Sequence, residues 1–198
     1  MALKVLIAPD KFKGTLSAKQ AAKAIALGWR AARSSDQLTL LPISDGGDGF
    51  GPLLGKLLAM QTRQTTTVDA THQPIKSRWW MEPKSRTAVI ESANIIGLAM
   101  LPRGKFHPFD LDTFGLGKVL QRATTAGATR CIIGIGGSAT NDGGFGMARA
   151  LGWRFLKRDG NNIKRWPDLT SLHIIQPPKQ RRLFNILTVA VDVQNPLL

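Results

Sequence analysis

The sequence predicts an α/β protein built on parallel strands, and three observations carry that prediction. Residues 3–8 form a largely apolar run, suited to a strand buried on both faces of a parallel sheet. A strand, loop, helix unit follows from it and then repeats, the arrangement that parallel pairing requires. The loops at the carboxyl ends of the strong strands collect aspartate, lysine, glycine and small hydroxyls, at the edge where open parallel sheets bind ligands.

The elements follow in order. After the first strand comes the loop Pro9-Asp-Lys-Phe-Lys-Gly-Thr15. Ser17 with Gln20 then makes a capping box for a helix whose apolar face is Ala18, Ala21, Ala22, Ile25, Trp29 and Ala32. Residues 38–43 read as the second strand and end in Ser44-Asp-Gly-Gly-Asp-Gly49, and Pro52 in a first turn opens the next helix. From Gln61 the texture becomes threonine-rich and alternating. Strands are expected at 65–70, 75–81 and 87–91, with turns at His72-Gln-Pro74 and Pro83-Lys-Ser85. This change marks a second domain, so the expected division is 1–62 and 63–198. A helix over 115–126, a strand at 130–135 and a helix over 145–151 come next. Residues 161–180 are poorly periodic beyond a strand near 172–175, and 186–193 form a last apolar strand.

Composition narrows the function classes. With 198 residues, 43% hydrophobic and 20% charged, the chain reads as one large or two small globular domains. No apolar run approaches the ~20 residues of a membrane span, and the N-terminal stretch reads as a strand rather than a leader, so a cytoplasmic protein with no membrane partner is expected. Cys131 is the sole cysteine. It supports neither a disulfide nor a cysteine metal cluster, and its place in an apolar strand suits an inert core thiol. The net charge of +14 would suit nucleic acid, but the basic residues are scattered. No zinc-finger spacing, basic zipper or aromatic RNA-binding pattern accompanies them, so nucleic acid is disfavoured and an anionic small molecule is served by the same field.

The richest loop is in Cys131-Ile-Ile-Gly-Ile-Gly-Gly-Ser-Ala-Thr-Asn-Asp-Gly-Gly-Phe-Gly146. Its glycines allow close approach of backbone N–H groups to an anion, Ser138 and Thr140 add hydroxyls, and a helix start follows. Asn141 and Asp142 are placed to grip a cation or a substrate hydroxyl. The same residues also suit a plain strand-to-helix turn. Asp45 and Asp48 sit in Asp-Gly turn signals, and Lys11 and Lys13 suit either solvated loop charges or phosphate ligands. His72, His107 and His173 fall outside these loops without metal-ligand spacing. No G-x-S-x-G elbow, Walker A loop or dinucleotide turn is present.

The set Ala8-Pro-Asp-Lys-Phe-Lys-Gly-Thr-Leu-Ser-Ala18, Ser44-Asp-Gly-Gly-Asp-Gly49, Glu91-Ser-Ala-Asn-Ile-Ile-Gly-Leu98, Thr113-Phe-Gly-Leu-Gly117, the run 133–147 and Asp192-Val-Gln-Asn-Pro-Leu197 resembles the bacterial glycerate kinase family, D-glycerate 2-kinases included. The resemblance implies ATP-dependent phosphorylation of D-glycerate, usually to 2-phosphoglycerate, by two α/β domains. The first would be Rossmann-like and discontinuous, incomplete here, with the second inserted into it. It places Gly136, Gly137, Ser138, Thr140, Asn141 and Asp142 at substrate or phosphate, and Lys13 at a phosphate or the glycerate carboxylate. Asp45, Asp48 and Asp192 become candidates for activating the hydroxyl, with Asp45 and Asp192 also for Mg²⁺.

This chain departs from the family pattern at Lys11 (usually serine), Asp48 (glutamate), Phe50 (threonine) and Lys118 (glutamate). It also lacks the family's later Thr-Gly-Glu-Gly loop, so a truncated member is expected, with an exposed sheet edge, weak or absent activity and, if it folds alone, either a homo-oligomeric state or a rearranged first domain. The alternative from another class is a non-catalytic basic protein that holds a phosphorylated metabolite or nucleic acid.

Overall fold

Ser17 and Gln20 close the expected capping box: the Gln20 N–H donates to Ser17 Oγ (3.3 Å) and the Ser17 N–H to Gln20 Oε1 (2.9 Å). They start α1 (Ala18–Ala32), which lies between β1 (Lys4–Ile7) and β2 (Gln37–Leu40). The two strands pair in parallel, Lys4 opposite Gln37 through Ile7 opposite Leu40. In this computed structural model, which describes residues 1–179 and 182–191, they belong to a first compact unit, Met1–Asp45. Its small core joins Ile7, Ala22 and Ala26 to Val5 and Leu38.

Two expectations change here. The buried helix face is Ala18, Ala21, Ala22 and Ala26, while Ile25 is exposed, because the small alanines let α1 lie close on the two-stranded sheet. The first strand is covered on one side only: Ile7 is buried but Leu6 is 61% exposed. Asp36 ties the unit together by accepting from the Leu3 N–H, Trp29 Nε1 and Arg33 Nε. The Arg33 guanidinium and these further donors hold its carboxyl well below the ordinary range.

The second unit runs from Gly46 to Leu198. It contains α2 (Phe50–Leu57), β3 (Gln61–Val68), β4 (Pro74–Glu82), β5 (Thr87–Glu91), α3 (Ala93–Ile96), α4 (Phe114–Thr125), β6 (Arg130–Gly134) and α5 (Phe145–Ala150). β7 (Arg154–Leu156), β8 (Ile174–Gln176) and β9 (Ile186–Ala190) complete its described strands. The five-stranded sheet has the order β3-β4-β5-β6-β9, antiparallel across β3, β4 and β5 and parallel across β5, β6 and β9. The α/β class with parallel strands therefore holds, in a mixed sheet.

Strand alternation assigns the two faces of this sheet. Trp79, Met81, Ala88, Ile90, Cys131 and Ile133 point to one side and pack with α3 and α4. Trp80, Val89 and Ile132 point to the other and pack with Phe50 and Leu54 of α2. α2 thus belongs to the second unit, and the compact units part at residue 45 whereas the texture of the sequence changes at 61. Cys131 is the expected core thiol, with burial pushing its pKa up to about 12. The weakly periodic segment contains the short strand β8, as the sequence suggested, and β8 pairs antiparallel with β7, which lies just before that segment and which the sequence did not suggest. No helix among the described residues is long and apolar enough to cross a membrane.

Candidate functional site

The turn that leads into α2 is held by a carboxylate from the end of β5. Glu91 is 3% exposed and accepts the Gly49 N–H (3.0 Å) and the Gly51 N–H (2.8 Å). A negative group among the unpaired N–H groups of a helix start satisfies donors and opposes the helix dipole. Asp48, exposed, comes just before this anchored turn.

β6 ends at Gly134, and the glycine loop beyond it is fastened on several sides. The Ile135 N–H donates to the Ala190 carbonyl and the Gly136 N–H to the Gly46 carbonyl, both at 3.1 Å. The Leu98 N–H donates to the Gly137 carbonyl (2.9 Å) and the Ala139 N–H to the Ile96 carbonyl (2.8 Å). The Gly136 N–H is thereby spent on positioning. The N–H groups of Gly137, Ser138, Thr140 and Asn141 make no hydrogen bond among the described residues.

Asp142, 6% exposed, locks the far end of the loop. Its carboxylate accepts from Thr113 N–H (3.0 Å), Thr113 Oγ1 (2.9 Å), Gly144 N–H (3.2 Å) and Gly146 N–H (2.8 Å). It joins the start of α5 to the start of α4. Beside it Asp112 accepts the Phe114 N–H (2.9 Å) and pairs with His72 Nε2 at 3.0 Å. The hydrogen bond that the His72 Nε2–H donates to Asp112 raises the His72 pKa. Burial pushes Asp112 upward, yet the His72 and Phe114 donors outweigh it and leave its pKa lowered.

Gly137 and Asp48 line one cavity of about 700 Å³ whose wall also carries Arg103 and the apolar side chains of Leu98, Leu101 and Phe106. Gly137 has φ of 72°, and a Cβ there would stand 3.2 Å from Asp48 Oδ1. Glycine satisfies the backbone and keeps the carboxylate uncrowded. Ser138 and Thr140 line a second, largely apolar cavity of about 580 Å³, together with Leu116, Leu120, Leu187 and Val189. Ser92 Oγ, which lines it too, is buried without a hydrogen-bond partner among the described residues. The glycine loop therefore borders a cavity that carries a carboxylate and a guanidinium at Gly137 and a largely apolar one at Ser138.

The structure brings Asp48 to Gly137, residues far apart in sequence. Lys13 and Asp45 lie in the first unit; Lys13 is exposed in the turn closed by the Leu16 N–H on the Phe12 carbonyl (3.1 Å), and Asp45 is exposed at the unit's end. Asn141 is exposed, and Asp192 lies outside the described residues. Sequence reasoning missed Arg103, whose only local signal is a lone charge in Pro102-Arg-Gly104, and the capping role of Glu91.

Comparison with known proteins places the chain in a family. The family model described as "Glycerate kinase family" matches residues 5–198. A glycerate kinase of Bacillus subtilis (strain 168) is 40% identical over 98% of this chain and 52% of its own length. A glycerate 2-kinase of Escherichia coli (strain K12) is 35% identical over 99% of this chain and 52% of its own length. The crystal structure of the Salmonella typhimurium LT2 protein described as glycerate kinase 2 superposes with a TM-score of 0.82 at 34% identity, covering all of this chain and 54% of that one. The chain spans about half the length of the curated relatives it matches. On a family match that extends from residue 5 to residue 198, the chain belongs to the glycerate kinase family.

Proposed function

We propose that this chain carries the glycerate-binding part of an ATP-dependent glycerate kinase that acts in the cytoplasm and forms 2-phosphoglycerate. One observation carries the reading: Asp48, at the anchored turn before α2, faces the same cavity as Gly137 of the glycine loop. A carboxylate beside unpaired backbone donors suits a hydroxyl that must lose a proton while its phosphoryl donor is held. Asp48 takes the proton as the hydroxyl oxygen bonds to the γ-phosphorus and ADP departs.

Gly137, Ser138, Thr140 and Asn141 contact phosphate or substrate through their N–H groups and hydroxyls, whereas Gly136 and Asp142 hold the loop in place. Lys13 neutralises phosphate or carboxylate charge. Asp45 and Asp192 supply the carboxylates for Mg²⁺, which needs only one or two protein oxygens beside those of the phosphates. Ser44 Oγ, next to Asp45 and buried without a hydrogen-bond partner among the described residues, fits an oxygen-rich cation site. When bound, the ion neutralises charge on the transferring phosphoryl group.

The test is a coupled assay of the chain and of Asp48→Asn with ATP, Mg²⁺ and D-glycerate. Slow turnover is expected, below the ~1–10³ s⁻¹ of typical enzymes. Asp48→Asn should lower it a further hundredfold or so without changing thermal stability, since general-base loss costs about 10²–10⁴ and the side chain is exposed. Equal rates in the two proteins, or a thermal midpoint indifferent to both nucleotide and glycerate, would reject the proposal.

A further inference from the structure

We infer that Arg103 anchors the carboxylate of the hydroxy-acid substrate in the cavity that holds Asp48, and so selects an acid over a neutral polyol. The inference rests on the kinase reading and names the group that would recognise the acid. Among the described residues, Arg103 is the one basic side chain lining this cavity and Asp48 the one acidic side chain. Most of the remaining wall is apolar, through Leu98, Leu101, Phe106 and Leu111. A guanidinium–carboxylate pair is charge-assisted, and its forked geometry orients a planar carboxylate.

The backbone under Arg103 is fixed at its base. Hydrogen bonds from Leu98 N–H to Gly137 and from Ala139 N–H to Ile96 fasten the start of this segment to the glycine loop. Gly104 then turns at φ of 68°. Arg103 makes no hydrogen bond or ion pair among the described residues. Three other arginines of this unit are spent within it: Arg149 donates to the Lys164 carbonyl, Arg154 to Asn162 and Arg165 to Asp110. A guanidinium and a carboxylate on one cavity wall sort ligands by charge. A molecule with one carboxylate and a hydroxyl satisfies both groups, a second carboxylate meets Asp48, and a polyol leaves Arg103 without its anion.

The test titrates the 198-residue chain, Arg103→Met and Arg103→Lys with D-glycerate and with its neutral amide by calorimetry. Arg103→Met is expected to weaken glycerate binding at least about tenfold, the usual loss for a hydrogen bond to a charged partner. Amide binding should not change, Arg103→Lys should recover part of the glycerate affinity, and the thermal midpoints should agree because the side chain is exposed. Equal glycerate affinity in Arg103→Met and the parent overturns the anchor and leaves the kinase reading standing. A parallel loss for acid and amide also overturns it, since charge would not be what is read. Failure of the parent to bind glycerate removes the substrate reading and the anchor with it.

Discussion

His72 holds φ of 65° in the turn between β3 and β4, a backbone region that most side chains avoid. Asp69 supports that turn by accepting from the Thr71 N–H, Thr71 Oγ1 and the Gln73 N–H. The imidazole reaches Asp112, which also holds the start of α4, so one turn is linked to the end of the site that Asp142 locks. Because the folded pKa of His72 lies above its ordinary 6.5, the pair's contribution is complete below about pH 6.5 and is lost as pH rises through the raised value. With the imidazole half exposed, the loss should be no more than about 1 kcal/mol. Denaturant unfolding at acidic and at alkaline pH should show it, and His72→Gln should flatten the difference. A parent chain whose stability stays level across that range would contradict the linkage.

At the scale of elements, α2 shows how the turn carrying Asp48 is anchored. Its Gly51 and Gly55 lie one turn apart and face the indole of Trp80, where an added Cβ would come within 2.1 Å and 2.3 Å of ring atoms. The helix backbone therefore rests directly on the sheet, and the turn carrying Asp48 is held between this packing and Glu91. Gly51→Ala should force α2 off Trp80 at a cost of about 1–3 kcal/mol, the range for overpacking. Gly28→Ala in α1 meets nothing within 4 Å and should instead stabilise by about 0.5–1 kcal/mol through helix propensity. Urea midpoints of the two variants moving in the same direction would refute the contrast.

The legibility of elements follows the same logic. The capping box of α1 could be read from Ser17 and Gln20 because its chemistry is local. The exposure of Ile25 could not, since it depends on how closely the alanines of α1 approach β1 and β2. β7 was invisible because three residues carry no usable period, and its existence depends on pairing with β8.

Across the molecule, the net charge of +14 gives every anion site a favourable background field. Salt screens that field within about 10 Å at 0.1 M. Glycerate affinity should therefore fall several-fold between about 0.05 M and about 0.5 M salt, while the neutral amide should be nearly insensitive. Equal salt dependence of acid and amide would show that the field plays no part. The apolar exposure is also notable: Leu6, Leu27, Leu187 and Val191 are each more than half exposed, in a chain that spans about half the length of its curated relatives.

The sequence by itself determined the α/β class, the family, the main strands and helices, and the loops rich in glycine and aspartate, because periodicity, caps and long motifs are written in neighbouring residues. Only the tertiary structure decided what those loops do to one another. It turned Glu91 into the cap of α2 and Asp142 into a lock, parted Gly137 from Ser138 between two cavities, and set Arg103 on the same wall as Asp48. These outcomes depend on contacts between residues distant along the chain, formed when the two faces of the sheet are covered, and no local pattern encodes them.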